Sequence, residues 1–381
     1  MSSITFEGSN CFRQRLVLSV LTGKTLIINK IRHKDIESGI NESEMNLLKL
    51  IEKVTNGSNI YVDESGTQLR FKPGILFGGQ IDHDCGLHRS IAYYIEVLLM
   101  LSPFCKRPIE ATLSGITNDQ IDPSVDAIKH SSLSVIKRFL GAADDNELEI
   151  KIVSRGLRPS GGGIVIFKCP IRRVLRPLQL LESGKVKRIR GVAFATRVSP
   201  QMANRMVDIA KGILLKYIPD IYIYTDHLKG KNSGKSPGFG LSLVAETTNG
   251  VFYTGEAVSN PSGSGKELSV PEDIAKEAAH SLLNDIYRGG AVDTLNQGLT
   301  TLFMAFGQRD LSKVQFGPLS PYTIQLLRHI KEFLELTFKL ESSQSNTDCN
   351  ADIENQYKTG SKKIIATCVG IGFTNLSKTV S

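Results

Sequence analysis

In the stretch Arg155-Gly156-Leu157-Arg158-Pro159-Ser160-Gly161-Gly162-Gly163-Ile164-Val165, basic residues, a proline and three consecutive glycines lead into the apolar run Ile164-Val165-Ile166-Phe167. Consecutive glycines cost backbone entropy, so a chain keeps them where it takes positive φ or lies against another segment. The β-branched apolar run reads as a buried strand, and residues 148–154 upstream read as its partner. The glycines then make the tight turn of a hairpin with basic shoulders.

Working outward, the hairpin closes a longer pattern. Before it come a helix over 86–101, a strand over 109–114 and a helix over 124–140. The N-terminal segment has the same order: strand 4–6, helix 12–21, strand 25–28, helix 42–54, and strands 59–62 and 68–71. The order βαβαββ of the first segment thus recurs in the second without its opening strand, which predicts repeated α/β units with helices on one face of each sheet. A third unit opens at 178–181 and resumes with helix 291–305, strand 313–316, helix 321–334 and strands 338–340 and 362–368. Between its parts, 185–288 has elements of its own: strand 188–198, helix 200–217, strands 221–224, 240–247 and 251–257, and helix 272–287. A segment of that size can bury its own core. The expected fold class is therefore α/β (α+β): a large domain of three βαβαββ units, over 1–184 and 289–381, with a smaller α/β domain, 185–288, inserted in the third. The polar stretch 341–361 reads as a flexible loop.

Composition narrows the function. No apolar run approaches the ~18 residues that span a bilayer, so no membrane role is expected. The start, Met1-Ser2-Ser3-Ile4, lacks a signal pattern. The six cysteines are scattered without paired spacing. That points to a reducing compartment and to no zinc or other metal site. A net charge of +8 is compatible with a nucleic-acid partner. The run Gly230-Lys231-Asn232-Ser233-Gly234-Lys235-Ser236 is one residue short of a phosphate loop and lies between strands, so no nucleotide site is assigned to it.

The pattern Arg-Gly-x-x-Pro-x-Gly-Gly-Gly-x-Val from Arg155 resembles that of the RNA 3′-terminal phosphate cyclases. The resemblance extends to the three units and the insert. It implies a histidine nucleophile opening the second helix of the third unit, where Ser320-Pro321-Tyr322 stands here. Tyr322 falls at the histidine's place. A phenol, with a pKa near ~10, is a poor substitute for an imidazole at neutral pH. A Gly-rich run before the family's first helix reads Gly8-Ser9-Asn10-Cys11-Phe12-Arg13, and an Asp-Gln pair aligns with Gly298-Leu299. Arg13 and Arg32 match anion-binding arginines. Acidic and nucleophilic groups are gone while arginines persist.

The resemblance is therefore to the cyclase-like branch. It implies a non-cyclising nucleolar factor of ribosome biogenesis, acting in early pre-rRNA processing for the small (18S-containing) subunit. Its implied partners are pre-rRNA, the small-subunit processome and a large nucleolar GTPase. It would be monomeric, without a cofactor. Two alternatives remain. Arg328, His329 and Lys331, on the helix after Tyr322, would supply an endoribonuclease with a base and cations; Arg328 and Lys331 are also candidate RNA-phosphate contacts. A cyclase with a relocated nucleophile is the other. Lys185, Lys187, Arg188 and Arg190, alternating with apolar residues, form a candidate docking edge for an acidic partner peptide.

Overall fold

The computed structural model describes residues 3–141, 147–228, 230–261, 263–343 and 360–375. Its first unit comprises β1 (Ser3–Glu7), α1 (Phe12–Thr22), β2 (Thr25–Asn29), α2 (Glu42–Val54), β3 (Thr55–Asn56), β4 (Asn59–Val62) and β5 (Leu69–Lys72). After β6 (Ile75–Leu76), which pairs with β3, come β7 (Gly79–Asp84), α3 (Ile91–Leu101) and β8 (Ile109–Gly115). Then follow α4 (Val125–Ala127), a π-helical turn over Ile128–Ser132, α5 (Leu133–Leu140), β9 (Glu149–Ser154) and β10 (Gly163–Cys169). A third set consists of β11 (Gln179–Leu180), α8 (Gln297–Phe306), β16 (Leu311–Phe316), α9 (Pro321–Leu334), β17 (Lys339–Ser343) and β18 (Lys363–Val369). Within it lie β12 (Val186–Thr196), α6 (Gln201–Leu214), β13 (Ile221–Leu228), β14 (Gly238–Thr247), β15 (Phe252–Val258) and α7 (Pro271–Arg288).

Three four-stranded sheets share one arrangement: β1-β2-β5-β4, β7-β8-β10-β9 and β11-β16-β18-β17. In each, the first two strands are parallel, and the other pairings are antiparallel. A parallel pair needs a crossover, which α1, α3 and α8 supply in their respective sets. α1 packs on α3 and α9, and α8 on α3 and α9, so four helices meet at the centre. Phe12, Leu16, Tyr94, Leu98, Phe303, Leu326 and Phe333 fill that meeting place. The fourth sheet, β13-β12-β14-β15, carries α6 and α7 on one face and has a separate core around Ala193, Met206, Leu243 and Leu282.

The glycine stretch turns between β9 and β10 as expected. Its glycines answer to close approach. A Cβ on Gly156 would stand 2.2 Å from Gly163 N and 2.4 Å from Gly115 O. The stretch Gly230–Ser236 packs onto this turn. Lys235 N donates to Gly161 O at 2.9 Å and Ser160 N to Ser236 Oγ at 2.9 Å. Gly234 is needed there, since a Cβ on it would lie 2.3 Å from Arg155 O. The would-be phosphate loop is thus a clamp of the β12–β15 sheet onto the hairpin.

Several sequence expectations shift. β7 went unread because Gly-Gln-Ile-Asp-His-Asp shows little apolar alternation; only Ile81 and His83 of it are buried. The helix expected from 86 begins at Ile91, because Cys85 N bonds to Ser114 O and Ser90 bridges to Ile116. The helix expected from 291 begins at Gln297, because Gly290 and Val292 bridge to Phe316 at the edge of β16. The helix expected over 124–140 is broken by its π turn, from which Ser131 Oγ accepts from Asn296 Nδ2 at 2.8 Å. Of the expected loop 341–361, residues 344–359 lie outside the described residues, while Glu341 and Ser343 belong to β17, paired to β18.

Candidate functional site

Where α1, α3, α8 and α9 converge, a cleft of about 210 Å³ opens, lined by Arg13, Glu96, Asn296, Leu299 and Tyr322 among others. Ser320 caps α9 by accepting from Thr323 N at 3.1 Å, and Pro321 fills its first turn, which fixes where Tyr322 points. The Tyr322 hydroxyl donates to Glu96 Oε1 at 2.8 Å. Glu96 also pairs with Arg13, whose guanidinium lies 4.3 Å from the Tyr93 ring centroid and donates to Tyr93 O at 3.3 Å. Burial, and then the Glu96 charge, hold the Tyr322 phenol well above its ordinary pKa. Burial works against the Arg13 charge, but Glu96, with Tyr322, Tyr93 and Asp122 adding to it, offsets burial and raises the guanidinium. A neutral phenol that donates to a carboxylate is no nucleophile. The Tyr322 ring also covers Gly298: a Cβ there would already touch it at 3.5 Å.

Glu96 was missed by the sequence reading. A signal existed, for it is the sole charged residue in the apolar helix Ile91–Leu101. Such a residue is seldom buried without a partner.

The candidate nuclease cluster comes apart. At 100° per residue, consecutive positions of a helix leave one face for another. Arg328 and Lys331 face solvent, whereas His329 is fully buried. Its Nδ1 meets Gln14 Oε1 at 3.0 Å, and its Nε2 meets Arg15 Nε at 3.4 Å and Gln325 Nε2 at 3.2 Å. Gln14 Nε2 donates onward to Tyr322 O at 2.8 Å. This fits one neutral tautomer, with Nδ1 donating and Nε2 accepting. Burial and the Arg15 charge lower the His329 pKa to about 4. His329 cannot act with Arg328 and Lys331 on one substrate; it braces α9 against α1.

Arg32 is also absorbed. It forks onto Glu44 at 2.9 and 2.5 Å and donates to Gly39 O at 2.7 Å. Glu44 is the third residue of the capping box that starts α2. Arg32 therefore supports a helix start rather than an anion. The expected docking edge over Lys185, Lys187, Arg188 and Arg190 is corrected in part. From Ile189 to Thr196 β12 is an inner strand, paired with β13 on one side and β14 on the other, so no peptide can add there, while Val186 and Arg188 pair with β14 alone. Lys187 and Arg188 already pair with Glu246, and Arg190 with Asp220. Lys185 precedes the strand and is exposed.

A model of the RNA 3′-terminal phosphate cyclase family matches residues 4–340. The chain belongs to that family. Among relatives, the human "RNA 3′-terminal phosphate cyclase-like protein" is 53% identical over 99% of this chain and 98% of its own length. The Drosophila melanogaster "probable RNA 3′-terminal phosphate cyclase-like protein" is 47% identical, covering 99% and 97%. The Schizosaccharomyces pombe "rRNA processing protein rcl1" is 38% identical, covering 90% and 94%. In this cyclase-family cleft, the place that the resemblance gives to a histidine holds a half-buried tyrosine, hydrogen-bonded to Glu96. Among the described residues no group of histidine, cysteine or carboxylate side chains is placed to hold a metal ion.

Proposed function

We propose that this chain is a non-cyclising member of its family that acts in early pre-rRNA processing for the small ribosomal subunit. It works in the nucleolus, as a monomer bound to pre-rRNA and to a large GTPase of the small-subunit processome. Tyr322 carries the reading: its phenol is neutral and engaged by Glu96, at the position where the reaction of the family needs an imidazole. The name of the fission-yeast relative supports the rRNA-processing part. The surplus of eight positive charges supports an RNA partner. Arg328 and Lys331, which face solvent on α9, are the RNA contacts we propose.

Incubation with labelled ATP and magnesium tests the chemistry. No acid-labile label is expected on the protein, and a stoichiometric phosphoramidate adduct would overturn the reading. Affinity purification tests the rest. Pre-rRNA and a GTPase should accompany the wild type, and RNA affinity should fall steeply with salt as counterions are released. Capture of neither would refute the docking role.

A further inference from the structure

A second cleft, of about 490 Å³, lies between the loop 118–124 and the sheet of β12 to β15. Asp119, Ser124, Phe194, Ser242, Glu256 and Glu277 contribute to its walls. Two buried atoms there, Ser242 Oγ and Glu256 Oε2, have no hydrogen-bond partner. Ser242 is only 3% exposed. The two residues face each other across β14 and β15, so their side chains are neighbours on one face of the sheet. Glu256 is held in place, since its Oε1 accepts from Ser124 N at 2.8 Å. Buried polar atoms without partners are rare in folded proteins. An adjacent pair on the wall of a cleft is placed to accept hydrogen bonds together.

The charges around it select the donor. Asp119 is neutralised by Arg158, Asp122 by Arg89 and Asp126 by Arg155. Among the described residues, Glu256 and Glu277 have no ion-pair partner, so the cleft is net negative and repels phosphate. An ammonium is a point charge, whereas a guanidinium presents N–H donors in a fork that matches two side-by-side acceptors. We propose that this cleft binds the guanidinium of an arginine on a basic partner polypeptide, with Ser242 Oγ and Glu256 Oε2 as acceptors.

The state of Glu256 couples such binding to pH. Burial pushes its carboxyl up to about 7, with the Ser124 hydrogen bond pulling against burial and Asp126 and Asp119 adding to it. The groups that face it are Ser242 on β14, Ser124 and Asp119 on the loop and Asp126 on α4. A bound cation favours the ionised form, so binding expels a proton near neutrality and strengthens as pH rises.

Nuclear magnetic resonance on the full-length, isotope-labelled protein tests this, with Nα-acetylarginine amide as the probe and the uncharged Nα-acetylcitrulline amide as control. The arginine compound should shift the amide signals of Ser124 and Gln120, and the citrulline compound should not. Its affinity should be about tenfold weaker at pH 6 than at pH 8, following the ionised fraction of a group with a pKa near 7. Ser242→Ala and Glu256→Gln should each weaken binding several-fold while leaving the melting temperature nearly unchanged. Ser242→Ala keeps Glu256 on its loop contact, so it decides the matter if Glu256→Gln disturbs the fold. No shift at Ser124, equal response to both compounds, or full binding by Ser242→Ala would overturn the proposal. Shifts at these amides with a short RNA alone would overturn it in favour of RNA.

Discussion

Arg155 and Arg13 both sit inside the molecule against carboxylates, but they do different work. Arg155 meets Asp126 at 2.6 and 2.9 Å and Asp226 at 3.0 Å, and it lies over the Phe194 ring at 4.7 Å. Those contacts tie the glycine turn to α4 and to the β12–β15 sheet, and they use most of the donors of its guanidinium. Arg13 has one carboxylate, Glu96, and stands at the edge of a cleft. A saturated buried arginine is a bolt between elements. One with a single carboxylate partner at a cavity wall is a boundary whose surroundings can change. Arg155, which holds the two parts of the molecule together, is thus closely paired with two carboxylates, and the region at the place of the family's chemistry has been rebuilt around a phenol.

The comparison can be broken by mutation. The largest effect should come from Arg155→Met, which leaves Asp126 buried and unpaired. We expect a loss of about 3–5 kcal/mol in chemical denaturation. A loss below about 1 kcal/mol would show that Arg155 is no bolt. Next comes the brace between α9 and α1. Since the folded pKa of His329 is about 4 and the unfolded value 6.5, its neutral form favours the fold. That contribution is full above pH 6.5 and is lost as pH falls through 4. The stability advantage of wild type over His329→Gln should therefore shrink by roughly 2–3 kcal/mol between pH 7 and pH 4. A pH-independent difference would contradict the buried neutral imidazole.

Arg13→Met should cost less than Arg155→Met, about 1–2 kcal/mol, because Glu96 keeps the Tyr322 hydroxyl and partial access to water. Equal costs for the two arginines would erase the distinction between them. The smallest effect is expected on the exposed face of β12. Arg190→Gln should leave the denaturation midpoint within error, since exposed ion pairs add little. A measurable fall would make Arg190–Asp220 part of the fastening rather than a solvated pair.

Much of the architecture was readable in one dimension. Pro321 to Leu334 was legible as a helix to the residue, because a serine cap, a proline and apolar spacing agree there. β7 was not, because its polar residues hide a strand that gains stability only from pairing with β8. Tyr322 was located by alignment to a family pattern. Its partner Glu96 comes from a helix more than two hundred positions earlier, and no local pattern links them. Alternation in β12 reports which face is wet and says nothing about what lies on either side, where β13 and β14 flank the strand from Ile189 onward.

The chain by itself therefore determined the βαβαββ order except for β7, the hairpin at Arg155 and the absence of histidine at position 322, since periodicity, turn chemistry and residue identity are local properties. Only the tertiary structure decided that Arg155 and Arg32 are internal fastenings, that His329 is a buried neutral brace, and that Ser242 and Glu256 share a cleft. Those roles depend on which distant side chains meet in the interior. There, loss of water makes every unpaired polar group costly and every pairing specific.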